Sequence, residues 1–157
     1  MKKALSLLGA ALVVAAFGAG AARADGDPVA AVKADIAKLQ SDATTLHDTM
    51  TADLQKLRSD AQALQATSDK KAAHATLQAD FQQLKADHDR LRPIVDADWK
   101  QLQADLQALR TAKVKPGDLR SLLQATKQAL QQQRDAVKAA ETAAQQAVQT
   151  LKSSFHK

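Results

Sequence analysis

The chain has 157 residues, no cysteine, no tyrosine, one tryptophan, five glycines, three prolines and a formal charge of +5. So few turn-forming residues argue against a doubly wound sheet, a barrel or a sandwich, which all need many tight turns. Without cysteine no disulfide framework and no lipid-bearing cysteine can form, so packing has to hold the fold.

Met1, Lys2 and Lys3 give a positive start, Ala4 to Ala22 form a run of small and apolar residues, and Ala22-Arg23-Ala24 has the small-x-small pattern that signal peptidase accepts. The sequence therefore predicts a secretory leader over residues 1–24, cleaved after Ala24, and one helical domain over residues 25–157 that is periplasmic or secreted. Cleavage there removes three of the 22 Lys and Arg and none of the 17 acids, leaving 19 cations against 17 anions. That balance, with so few aromatics to stack on bases, gives no support to a nucleic-acid partner, and none is expected.

Asp27-Pro28 reads as an N-cap followed by proline in the first turn. Beyond it Val32, Ile36, Leu39, Ala43, Leu46, Met50, Leu54, Leu57, Ala61 and Leu64 recur at steps of three and four, which predicts a helix over about 28–66. Thr67-Ser68-Asp69 then supplies a turn with fresh capping groups. A second stripe runs through Leu77, Phe81, Leu84, His88, Leu91, Val95, Trp99, Leu102, Leu106 and Leu109, in phase across Pro93, and predicts a helix over about 70–112 with a kink at the proline. Lys113 to Asp118 is a loop stopped by Pro116-Gly117, with Asp118 placed to cap a third helix over about 118–155. Its stripe is thinner, because Thr126, Gln133 and Ala140 share the apolar face, so this helix should bury less and move more. Short loops fold the three helices back into a long antiparallel three-helix bundle or coiled coil, an all-α fold.

The unit Asp-apolar-x-x-Leu begins at Asp35, Asp53, Asp80 and Asp98. Copies on one helix are 18 residues apart, five turns, and show the same face. The second pair follows the first by 45 residues, as a duplicated helix would.

Chemistry-bearing groups are sparse. The aspartates have cations three residues on, as in Asp35-Lys38, Asp53-Lys56, Asp87-Arg90 and Asp89-Arg92, which reads as a solvated, ion-paired flank rather than an acid/base pair. His47, His74, His88 and His156 have no metal-ligand spacing, so no metal and no cofactor are expected. His88 falls on the second stripe and is a candidate pH-sensitive core residue. No serine sits in a glycine-rich elbow and no phosphate-cradling loop exists, which leaves no catalytic residue to nominate.

Leu39-Gln40-Ser41-Asp42-Ala43 and Leu57-Arg58-Ser59-Asp60-Ala61 resemble heptads of the bacterial murein lipoprotein, and Phe155-His156-Lys157 is similar to that family's aromatic-basic-lysine end. The resemblance implies a wall-associated spacer joined to peptidoglycan through Lys157, although this chain lacks the lipidated cysteine. It is also similar in size and export to small periplasmic chaperones, without their Leu-Thr-x-x-Gln repeats or strand-forming segments.

The expectation is a non-enzymatic exported helical protein that binds other envelope proteins or unfolded clients through amphipathic faces. The candidate interaction stripe is Leu123, Leu130, Val137, Val148, Leu151 and Phe155. The alternatives are an amphipathic binder of an anionic membrane surface and a wall-associated structural spacer; self-association is a further partner the stripes allow.

Overall fold

A computed structural model describes residues 27–115, 117 and 119–155. The leader with its cleavage site, and the expected roles of Pro116, Asp118, His156 and Lys157, fall outside the described residues. Asp27 caps the first helix by accepting from the Val29 backbone N–H at 2.9 Å, with Pro28 in the first turn. This helix, α1, spans Pro28–Ala63 and tightens into a single 3-10 turn over Leu64–Ala66. Thr67 then turns extended, and Asp69 starts the next helix by accepting from Ala72 N–H at 2.9 Å.

Helix α2 spans Lys70–Thr111 without interruption through Pro93, which accounts for the preserved phase of the stripe; the kink expected there is not confirmed. Its end lies within a residue of the expected 112, and the closing geometry comes from Lys113. Lys113 takes the left-handed conformation, φ 52°, its N–H bonds to Arg110 O at 3.1 Å, and Val114 N–H reaches back to Leu109 O at 3.2 Å. That is a Schellman closure with lysine where glycine is usual, and Val114 and Leu109 share one apolar cluster, as the motif favours. Helix α3 spans Leu119–Ser154. No strand occurs among the described residues.

The three helices form an up-down-up bundle with α1 in the middle: it packs along both α2 and α3, while α2 and α3 scarcely meet. Two apolar clusters result. One joins Val32, Ile36 and Leu39 of α1 to Leu102, Leu109 and Leu119. The other joins Leu54, Leu57 and Ala61 to Ala144, Ala147, Val148 and Leu151 near the opposite end. Each fully buried leucine or isoleucine contributes about 1.5–3 kcal/mol relative to exposure.

The expected stripe of α2 is corrected in one respect. Phe81 and Trp99 are 47% and 45% exposed, and the line facing α1 is Ala73, Asp80, Asp87, Leu91, Asp98, Leu102 and Leu109. The physical reason is that α2 packs closely along α1 and only sparsely on α3, so only part of its apolar arc is covered.

Two substitutions check this arrangement. Lys113→Gly removes the steric cost of a left-handed lysine and should raise stability by about 1 kcal/mol in a denaturant titration. Leu102→Ala should cost about 2–5 kcal/mol, whereas Ile94→Ala, at a half-exposed site, should stay below about 1 kcal/mol.

Candidate functional site

The seams on either side of α1 differ in chemistry. Toward α2 the seam is ionic. Lys38 bridges Asp42 of its own helix, at 2.9 Å, and Asp98 of α2; Lys56 likewise bridges Asp60, at 2.7 Å, and Asp80. Asp80 and Asp98 are buried, while both lysines remain largely exposed, their aliphatic stems carrying the ammonium to the seam from outside. Two buried carboxylates are thus pinned from one rim, 18 residues apart on each helix.

The expected ion-paired flank is present in the exposed pairs Lys38-Asp42, Lys56-Asp60, Lys85-Asp89 and Arg92-Asp96, but Asp35, Asp80, Asp87 and Asp98 are buried rather than solvated. Of the four intrahelical pairings anticipated, Arg90 to Asp87 forms at 2.6 Å, but Arg92 turns to Asp96 at 3.1 Å, and Lys38 and Lys56 reach forward to Asp42 and Asp60 and across to α2.

Burial pushes the Asp98 carboxyl above the usual carboxylate value even with Lys38 beside it, and Asp42 adds to the rise. Asp53 is also raised, first by burial and then by the Asp87 carboxylate. Asp87 is held low by Arg90 and by Gln83. Asp42, although burial acts against it, is lowered by hydrogen bonds with Lys38 and Asp98. The hydrogen bond to Asp98 raises Lys38, and those to Asp60 and Asp80 raise Lys56 well above its usual 10.5.

Toward α3 the seam is neutral and polar at its centre. Thr126, 2% exposed, donates to Leu122 O and accepts from Gln40 Nε2, both at 2.8 Å. Gln133 Nε2 donates to Thr44 Oγ1 at 2.9 Å. His47 Nε2, Thr51 Oγ1 and Gln133 Oε1 are buried without a hydrogen-bond partner in the protein. Each such atom carries a desolvation cost of about 1–3 kcal/mol. A recess on this side is lined by Leu54, Gln55, Arg58, Ala139, Ala140 and Ala143, where α3 offers only methyl groups.

The candidate interaction stripe of α3 lies against α1 rather than in solvent. Val148 and Leu151 are buried in one cluster with Val137 and Phe155 packed beside them, and Leu123 and Leu130 pack on the other. Lys70 ties the far end of α3 to α2, donating to Phe155 O at 2.5 Å with its ammonium 5.7 Å from the ring centre. His88 is not a core residue: its side chain is 43% exposed and faces Asp89 at 3.5 Å. It sits on the part of the α2 arc that no helix covers. Among the described residues no group of histidine, aspartate and glutamate could hold a metal ion, and no helix is long and apolar enough to cross a membrane.

Sequence reasoning missed the buried aspartates because their lysine partners lie 60 and 24 residues away on another helix. The repeat was the available signal, since Asp80 and Asp98 open its third and fourth copies. No family model, curated protein or solved structure matches the chain.

The ionic seam predicts a stability maximum in mild acid. Asp53 and Asp98 bind protons more tightly folded than unfolded, so lowering the pH through their raised values stabilises the fold until the usual 3.8 is reached. Asp42 and Asp87 act oppositely: their stabilisation is complete above 3.8 and is lost as the pH falls through their lowered values. Lys38 and Lys56 contribute stability that is present below 10.5 and lost as the pH rises through their raised values. Thermal melts should therefore rise as the pH falls from neutral and turn over near the usual carboxylate value of 3.8. Asp53→Asn should raise the neutral-pH midpoint by a few degrees and flatten the rise toward acid.

Proposed function

We propose that the chain is a non-enzymatic exported helical protein that binds other envelope proteins or unfolded clients through amphipathic helix faces, with α3 as the element that opens. The observation that carries this reading is that α3 leans on α1 and scarcely on α2, across a seam whose centre is polar. Releasing α3 gives up mainly its packing on α1, together with Leu119 in the Leu102 and Leu109 cluster and the Lys70 tie to Phe155. It also returns His47, Thr51 and Gln133 to water, which offsets part of the cost of opening.

Opening uncovers Ile36, Leu54 and Leu57 beside the α2 face, an apolar trough whose α1 edge carries Gln40 and Thr44. Such a trough suits an amphipathic or extended apolar segment of another protein. The ionic pins keep α1 and α2 together while α3 is away, so opening need not unfold the chain. The alanines Ala139, Ala140 and Ala143 support the same reading, since methyl groups against the recess bury little area per residue.

Hydrogen exchange and a client assay test the proposal together. Amides of α3 should exchange at least tenfold faster than those of α1, and the protein should suppress aggregation of an unfolded exported protein. Gln133→Leu should slow exchange along α3 and weaken client suppression in parallel. Equal protection of α1 and α3 would remove the mechanism.

A further inference from the structure

Beyond that reading, which concerns α3, the outer face of α2 carries a separate surface. The duplication by 45 residues equates Ile36 with Phe81 and Leu54 with Trp99. On α1 these positions are 1% and 3% exposed; on α2 they are 47% and 45% exposed. The repeat has thus produced one apolar helix face twice, enclosed in the bundle on α1 and left open on α2, with larger side chains at the open positions. An aromatic pair of this kind is costly to leave in water and is the residue type that anchors protein interfaces.

The rim of that face identifies what fits it. The α1 residues Gln40 and Thr44, which hydrogen-bond to α3, correspond to Lys85 and Asp89 on α2, and His47 and Thr51 correspond to Arg92 and Asp96. Another α3, with Thr126 and Gln133 presented to it, would therefore meet charges in place of amide and hydroxyl partners. The charges form two exposed pairs, Lys85 with Asp89 at 2.5 Å and Arg92 with Asp96 at 3.1 Å.

Read along the helix, the face is self-complementary. Turn a second α2 antiparallel about a two-fold axis level with residue 90, and Phe81 stands opposite Trp99 of the other copy. On the same flank Lys85 comes beside Asp96 of the other copy, and Asp89 beside Arg92. The aromatic contact and each of these two charge pairs form twice, as an isologous interface requires. The two aromatic contacts lie about 27 Å apart, five helical turns, which fixes the register of the pairing. We infer that the face of α2 centred on Phe81 and Trp99 binds a second copy of this chain, as a two-fold antiparallel α2–α2 dimer.

The test is sedimentation velocity on the protein expressed from its full sequence, with the emission of Trp99, the sole tryptophan, followed over the same concentrations. A dimer should form, and emission should shift to shorter wavelength as it does. Phe81→Glu, at a half-exposed position, should weaken dimerisation at least tenfold while circular dichroism stays unchanged. Lys85→Asp should weaken it as well, and adding Asp96→Lys to the same chain should restore it, because the reversed charges again meet across the axis. A monomer up to millimolar concentration would overturn the inference. So would a dimer indifferent to Phe81→Glu, or a double reversal that loses as much as the two single changes combined.

Discussion

The register of this bundle depends on two cross-helix ion pairs, Lys38 with Asp98 and Lys56 with Asp80. Each places a buried carboxylate of α2 under a lysine of α1, and the sites are separated by five turns on both helices. Sliding α2 by one turn would strand both carboxylates in the seam without a cation. The cost of an unpaired buried charge, several kcal/mol, is larger than the gain from any single leucine. The pairs therefore act chiefly by excluding other registers, which apolar repeats as regular as these would otherwise permit.

That constraint propagates outward. With Asp80, Asp87 and Asp98 turned toward α1, the apolar arc of α2 is rotated so that Phe81 and Trp99 lie at its edge. α3 is then left to dock on α1, and it does so across a seam that is apolar at both ends and polar between. The core is consequently divided into two clusters rather than continuous along the helices. A helix attached through two separated apolar zones, with orphaned polar atoms between them, is less strongly held than one with an unbroken stripe.

Much of the fold is legible in the sequence because local signals carry it. Asp27-Pro28 and Thr67-Ser68-Asp69 mark helix starts by capping chemistry that needs no tertiary partner, and the structure uses Asp27 and Asp69 as caps. The end of α2 is legible in position but not in how it closes: a left-handed lysine at Lys113 has no compositional signature, whereas the nearby Pro116-Gly117 does. A stripe also reports how wide an apolar arc is, but not how many neighbours will cover it. For that reason Phe81, Trp99 and His88 read as core and stand half-exposed. The α3 stripe was legible as a face; its being occupied by α1 follows only from the packing.

The repeat shows why one sequence unit can serve two ends. Its aspartates and apolar residues recur in both helices, but its cations do not: Lys38 and Lys56 on α1 correspond to Gln83 and Gln101 on α2. The hairpin is thereby asymmetric in charge although symmetric in apolar pattern. α1 supplies the lysines and is enclosed on two sides; α2 supplies the buried acids and keeps one apolar face free. A second set of changes, Lys85, Asp89, Arg92 and Asp96 where α1 has Gln40, Thr44, His47 and Thr51, distinguishes an inner face, where α3 is held, from an outer face open to another protein.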